Sequence, residues 1–210
     1  MSESRPALAR LLDAVHADPR IAALVADIRS ADTADVSVAP GARAAVVAAL
    51  AEYAAEPGAA AGAATSRPLL LATATSREAE DLVAALSTLL PAQVIGLFPS
   101  WETLPHERLS PRSDTVGARL AVLRRLAHPD PDDTAYGPLR VVVAPIRAVL
   151  QPIAKHLGDL APVALRAGDT APLEGVVEAL AAAAYHRTDL VERRGEFTVR
   201  GGILDVFPPT

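Results

Sequence analysis

Short apolar runs that do not alternate with polar residues are the feature that most restricts how this chain can fold. Val141, Val142 and Val143 stand in line, and so do Leu69, Leu70 and Leu71. A strand with one wet face alternates, so strands built from such runs must be covered on both faces. The residues from Pro68 to Ala72, from Gln93 to Phe98 and from Val141 to Val143 therefore predict three buried strands. Ser76 is placed to cap a helix over Arg77 to Leu89, and Pro145 can begin another after the last run. Strands alternating with helices in this way imply an α/β fold, a mostly parallel sheet with helices on both faces.

Ahead of that unit, Leu8, Leu11, Leu12 and Val15 follow helical spacing, as do Ile21, Leu24, Val25 and Ile28 after the start signal Asp18-Pro19. Two antiparallel helices are expected there. A short strand over Asp35 to Val38, a break at Pro40-Gly41 and a helix from Ala42 to Tyr53 come next. The Ala/Gly-rich stretch Glu56 to Ser66 and the Pro/Asp-rich stretch His128 to Pro138 read as loops.

Beyond residue 150 the pattern changes. Ala161 to Arg166, a helix over Leu173 to Tyr185, and the strand pair Glu192 to Val199 and Gly201 to Phe207 predict an antiparallel α+β unit. The boundary is placed near Gln151, dividing the chain into an α/β domain over 1–150 and an α+β domain over 151–210. The second unit reads as incomplete at Thr210, because a strand pair without further partners would leave a pairing edge exposed.

Half of the residues are apolar, enough for a core, although many are alanines. Formal net charge is −5 and no run of Lys or Arg occurs, which argues against autonomous binding to a nucleic-acid backbone. Aromatic residues make up 3%, too few for the stacking platforms of single-strand binders. Cysteine is absent, so disulfides and thiolate metal sites are excluded, in keeping with a reducing cytoplasm. His16, His106, His128, His156 and His186 lie too far apart for a helical two-His metal pair, and no metal is expected. No apolar stretch approaches the roughly twenty residues that cross a bilayer.

Three stretches could carry function. The first runs from Val36 through Gly41 and Arg43 to Ala45, where a nucleotide-binding domain would hold its phosphate loop. Such a loop needs several glycines, a Lys for the phosphates and a Ser or Thr for magnesium. This one has a single Gly41, Arg43 near the place of the Lys, and alanines in place of the hydroxyl. It reads as an ordinary turn or, less favourably, as a weak phosphate contact through Arg43. The second, Phe98 to Pro111, leaves a strand at the carboxyl edge of the sheet, where open α/β folds place ligands. Glu102, His106 and Glu107 there have no nucleophile or metal partner in sequence, and Pro105 and Pro111 suggest a stiffened loop. The third is Glu192 to Pro208, in which Gly195 and Gly201-Gly202 bracket a strand carrying Arg193, Arg194 and Arg200. It reads either as a solvated hairpin or as a basic protein-docking strand.

The run Ser100-Trp101-Glu102-Thr103-Leu104-Pro105, followed by Ser110-Pro111 and Arg119-Leu120, resembles the N-terminal module of the transcription-repair coupling factor (Mfd) family. The string from Arg194 through Gly195-Glu196-Phe197-Thr198-Val199-Arg200-Gly201-Gly202-Ile203 to Pro208 resembles the strand pair that this family shares with the excision-repair protein UvrB. Val141-Val142-Val143-Ala144-Pro145 matches the strand between them, and the likeness covers roughly Val36 to Pro208. The resemblance implies a helicase-like domain with a degenerate phosphate loop, then most of an inserted domain that binds UvrA. It implies that Arg200 belongs to the UvrA-contacting surface, with Gly195, Phe197 and Gly201 as shape-determining neighbours. No catalytic residue and no cofactor are expected for this segment. For the parent protein it implies ATP and magnesium, DNA translocation, RNA polymerase and double-stranded DNA as partners, and a cytoplasmic place of work. The segment between Pro105 and Asp114 is too short for the long DNA-clamping hairpin of UvrB. The rival readings are an ATP-dependent UvrB-type helicase subunit and an unrelated α/β domain binding a small ligand at the Trp101 loop.

Overall fold

The computed structural model describes residues 8–30, 33–55, 68–103, 110–130 and 137–209. The stretch Glu56 to Ser66, the residues Leu104 to Leu109 (with Pro105, His106 and Glu107), much of the Pro/Asp-rich loop and Thr210 lie outside them.

Two helices open the described chain, α1 (Ala9–His16) and α2 (Pro19–Ser30), as the apolar spacing predicts. Asp18 marks the start of the second by binding Arg20 through its backbone N–H and both sides of its guanidinium. The expected strand over Asp35 to Val38 does not form. That segment is irregular and pairs with no strand, and Val36 is half exposed. Its alternating Val36 and Val38 supply strand character without a neighbour to hydrogen-bond, and backbone pairing is what makes a strand. A single 3₁₀ turn over Pro40–Ala42 then leads into α3 (Arg43–Ala55).

The central sheet contains β1 (Leu69–Thr73), β2 (Ile95–Leu97) and β3 (Val141–Pro145) in the order β1-β3-β2, with both neighbours parallel to β3. The unbroken valine run is the middle strand, and all five of its residues are buried. Its side chains divide between two cores. Val141 and Val143 point into one with Ile95, Leu86, Leu90 and the alanines of α3. Val142 and Ala144 point into the other with Phe98, Val122 and Leu139. Helices therefore cover both faces: α4 (Ser76–Leu86) and α3 on the first, α5 (Ser113–Ala127) and α6 (Ile146–Leu150) on the second. Ala48 and Ala49 in α3 are fully buried, so the alanine content of the sequence is used where a helix approaches closely.

The cap of α4 is Thr75 rather than Ser76: its hydroxyl accepts the backbone N–H of Glu78, and Ser76 is the first helical residue. That helix ends at Leu86, three residues short of the expected Leu89, where Ser87 and Thr88 turn their hydroxyls back onto helix carbonyls.

The second sheet holds β4 (His186–Arg187), β5 (Glu196–Arg200) and β6 (Ile203–Phe207), with α7 (Leu173–Ala182) preceding it. The β5–β6 pair is antiparallel, as expected, whereas the two-residue β4 pairs parallel to β5 and was not anticipated. The first strand begins at Glu196, not Glu192. The Glu196 carboxylate accepts the backbone N–H groups of Glu192 and Arg193, which holds those residues in a turn. Residues 161–166 are irregular, and α7 ends before Tyr185 because Ala184 takes a left-handed φ of 63°.

Candidate functional site

At the degenerate phosphate loop the structure places an ordinary helix start. Gly41 is not among the glycines with left-handed φ, and a Cβ built on it would meet nothing within 4 Å. The backbone therefore does not fold into the concave nest of N–H groups that surrounds a phosphate. Arg43 begins α3, and its Nη1 lies 3.3 Å from Oε1 of Glu78 at the start of α4. Ala44 and Ala45 follow it.

The Trp101 stretch is organised around a buried cation. Arg119, on α5, has no exposed surface, and its guanidinium lies 4.0 Å from the centre of the Phe98 ring and 4.3 Å from that of Trp101. Nη1 donates to the carbonyl of Pro99 at 2.7 Å, while Nε and Nη2 are buried with no hydrogen-bond partner among the described residues. Burial lowers the pKa of this group from its ordinary value. The Gln151 side chain clamps the backbone of Trp101 from the other side: Oε1 accepts its N–H at 2.7 Å and Nε2 donates to its carbonyl at 3.3 Å. Glu102 accepts a hydrogen bond from the Thr115 hydroxyl in the first turn of α5. Phe98, Pro99, Trp101, Arg119 and Gln151 thus form a packing lock at the carboxyl edge of the sheet. The sequence pattern missed the stack, because Arg119 was noted only as part of the motif Arg119-Leu120 and nothing in local spacing assigns it ring partners. Phe98 and Trp101 three residues apart, opposite an Arg on the next helix, were the available signal. Among the described residues, no group of three or more His, Asp or Glu could hold a metal.

The third stretch is a two-residue hairpin. Arg200 pairs with Ile203, and the intervening Gly201 and Gly202 have φ of 57° and 82°. Left-handed φ at both central residues is the turn whose twist matches that of the strands, which explains the glycine pair. Phe197 and Val199 share one face with Leu204 and Val206, and Phe197 is 1% exposed. Leu173 and Val177 of α7 line a groove with Val199 on this face, rimmed by Glu174, Glu178 and Arg187.

The opposite face carries Glu196, Thr198, Arg200, Ile203, Asp205 and Phe207. Arg200 is exposed, and its Nη2 donates to the carbonyl of Asp189 at 2.9 Å, which orients the side chain without neutralising it. At the far end Arg194 lies over the Phe207 ring at 5.1 Å and donates to the carbonyls of Pro208 and Pro209. Gly195, at φ 84°, lets the chain enter β5: its N–H donates to the Phe207 carbonyl and its carbonyl accepts from His186. The hydroxyl of Ser113 on α5 donates to the carbonyl of Arg194 at 2.8 Å, tying this entry to the first unit. Glu196 has its pKa lowered by the backbone N–H groups of Glu192 and Arg193, so the face keeps a carboxylate beside its arginines. Gly195, Phe197, Arg200 and Gly201 are thus gathered in one hairpin, while Gly41 lies in the 3₁₀ turn before α3 and Arg43 at the start of that helix.

Residues 163–210 match the family described as the UvrB interaction domain. The transcription-repair-coupling factor of Mycobacterium tuberculosis is 58% identical over 144 residues, 68% of this chain and 11% of its own length. Those of Haemophilus influenzae and Bacillus subtilis are 30% and 28% identical over 141 and 149 residues, covering 66% and 70% of this chain and 11% and 12% of theirs. The chain thus spans only about a tenth of the length of the curated relatives it matches.

Proposed function

Because the chain belongs to the transcription-repair-coupling factor family, we propose that it is a non-catalytic module that recruits UvrA. The observation that carries this reading is the exposed Arg200 on the β5–β6 hairpin, inside the stretch that matches the UvrB interaction domain. Among the described residues its guanidinium meets a neutral carbonyl, which leaves its charge available to a carboxylate on a partner. Arginine at the centre of a docking face commonly contributes a disproportionate share of the binding energy. The division of labour places the α/β unit up to about Gln151 as a scaffold and the hairpin unit as the docking surface. Gly195 and Gly201 set the shape of the hairpin, and Phe197 anchors it from beneath.

ATP hydrolysis, DNA translocation and the removal of stalled RNA polymerase belong, in this reading, to other parts of a full-length coupling factor working in the cytoplasm. The turn at Gly41 supports that assignment, since it lacks the Lys, the hydroxyl and the nest that triphosphate and magnesium require. No helix among the described residues is long and apolar enough to cross a membrane.

Calorimetric titration of UvrA into the purified chain tests the proposal. Saturable binding without added nucleotide is expected. No heat of binding, together with saturable binding of a fluorescent ATP analogue that an Arg43 substitution abolishes, would favour a UvrB-type enzyme instead.

A further inference from the structure

We propose that Ile203 and Leu190 form an apolar rim around Arg200, so that the docking face receives a carboxylate set within an apolar patch of its partner. The inference rests on the reading of this hairpin as the UvrA-docking face and names the chemistry that the face recognises.

Arg200 ends β5, the middle strand of its sheet, and has an exposed aliphatic residue on either side. On the β6 side is Ile203, its partner in the register, 66% exposed. On the other side the chain leaving β4 continues beside β5, with the N–H of Thr188 donating to the Phe197 carbonyl. It brings Leu190, 64% exposed, next to the Asp189 carbonyl that holds the guanidinium. The Thr188 hydroxyl donates to the Leu190 carbonyl at 3.0 Å, and the left-handed pair Gly201-Gly202 fixes the hairpin tip. Both flanks are therefore ordered before a partner arrives, which lowers the entropic cost of docking.

The two ends of this face differ. At the base Phe207 is 39% exposed and lies under Arg194, whose guanidinium donates to the carbonyls of Pro208 and Pro209. That ring and that cation cover one another. At the tip Arg200 shares its face with Asp205, yet it turns to the Asp189 carbonyl, and no carboxylate among the described residues lies within ion-pair distance of it. A cation without a counter-ion, between two exposed aliphatic groups, is complemented by a carboxylate surrounded by apolar atoms. The charges would meet as a charge-assisted contact while the rim keeps water away from it, as the weakly contributing surroundings of a binding hot spot do.

The test is calorimetric titration of UvrA into the whole 210-residue chain as wild type, Ile203→Thr, Ile203→Leu, Leu190→Ser, Arg200→Gln and the double variant Arg200→Gln/Ile203→Thr. Threonine keeps the β-branch that suits a strand, and both rim residues lie outside the core, so circular dichroism should be unchanged. Ile203→Thr and Leu190→Ser should each weaken binding at least about fivefold and make the heat-capacity change on binding less negative, whereas Ile203→Leu should stay within about threefold of wild type. Because the rim acts on the Arg200 contact, the double variant should lose at least about threefold less than the product of the two single losses. Unchanged affinity in Ile203→Thr or Leu190→Ser, beside a wild-type chain that binds, would overturn the rim and leave the docking assignment standing. Losses that simply multiply would overturn it too, as would sedimentation showing that wild-type chains pair with one another and that Ile203→Thr separates them. A wild-type chain that does not bind UvrA would overturn the rim and the proposed function together.

Discussion

Replacing Arg119 separates what its shape contributes from what its charge contributes. The guanidinium lies over the rings of Phe98 and Trp101, makes one hydrogen bond to Pro99 and leaves two nitrogens, Nε and Nη2, buried with no partner among the described residues. Two desolvated cation–π contacts are worth up to about 2 kcal/mol each. The single charged hydrogen bond adds about 1.5–3 kcal/mol. Against these stand roughly 1–3 kcal/mol for each orphaned donor and several kcal/mol for taking the charge out of water. These quantities nearly cancel, so the charge should contribute little net stability while the long flat side chain fills space between two rings. Arg119→Met keeps much of the length without the charge and should change stability by less than about 1.5 kcal/mol, as volume-conserving apolar replacements do. Arg119→Ala opens a cavity and should cost about 3 kcal/mol or more. Urea denaturation of the two variants, followed by Trp101 fluorescence as the sole tryptophan, measures both. A methionine variant as damaged as the alanine variant would refute the reasoning and show that the buried charge is itself stabilising.

Thr75→Ala removes the cap of α4 and should cost about 1 kcal/mol in the same denaturation assay, whereas Ser76→Ala should have almost no effect. Gly195→Ala must hold a left-handed φ of 84° and should cost about 1–2 kcal/mol, with the new Cβ itself in ordinary contact with Ser113. The carboxyl groups of Asp18, Asp159 and Glu196 are all held below their ordinary range. Asp18 is lowered to about 2, first by the Arg20 side chain and then by the Arg20 N–H. Because folded-state pKa values are depressed, the stability from these groups is present above the ordinary carboxylate range near pH ~4 and is lost as pH falls through the folded values. Carboxyl-carbon NMR titration should place the Asp18 midpoint near 2; a midpoint in the ordinary carboxylate range would contradict the Arg20 pairing.

The parallel sheet was legible because the β-branched run Val141 to Val143, short and closed by Pro145, favours a strand buried on both faces, and the β5–β6 hairpin because Gly201-Gly202 between apolar runs specifies its turn. What failed was whatever depended on a distant partner. Val36 and Val38 alternate like a strand, yet no strand among the described residues pairs with them. The two residues of β4 have no pattern of their own and become a strand only through Gly195 and Phe197. That Gln151 clamps Trp101 was not legible, because a glutamine's hydrogen bonds leave no trace in local spacing. The same reason hid the Arg43–Glu78 pair, whose members are 35 residues apart. At the hairpin, Arg200, Gly195, Phe197 and Gly201 could be named from the residue string, whereas the Arg194–Phe207 contact and the Asp189 carbonyl under Arg200 required coordinates.

Titrating UvrA into the wild-type chain, Arg200→Glu and Arg43→Gln in one calorimetric series tests the assignment of the docking face most directly. The account predicts that Arg200→Glu weakens binding by about 2 kcal/mol or more, roughly thirtyfold, while Arg43→Gln leaves it unchanged. Equal affinity for the wild-type and Arg200→Glu chains would contradict it.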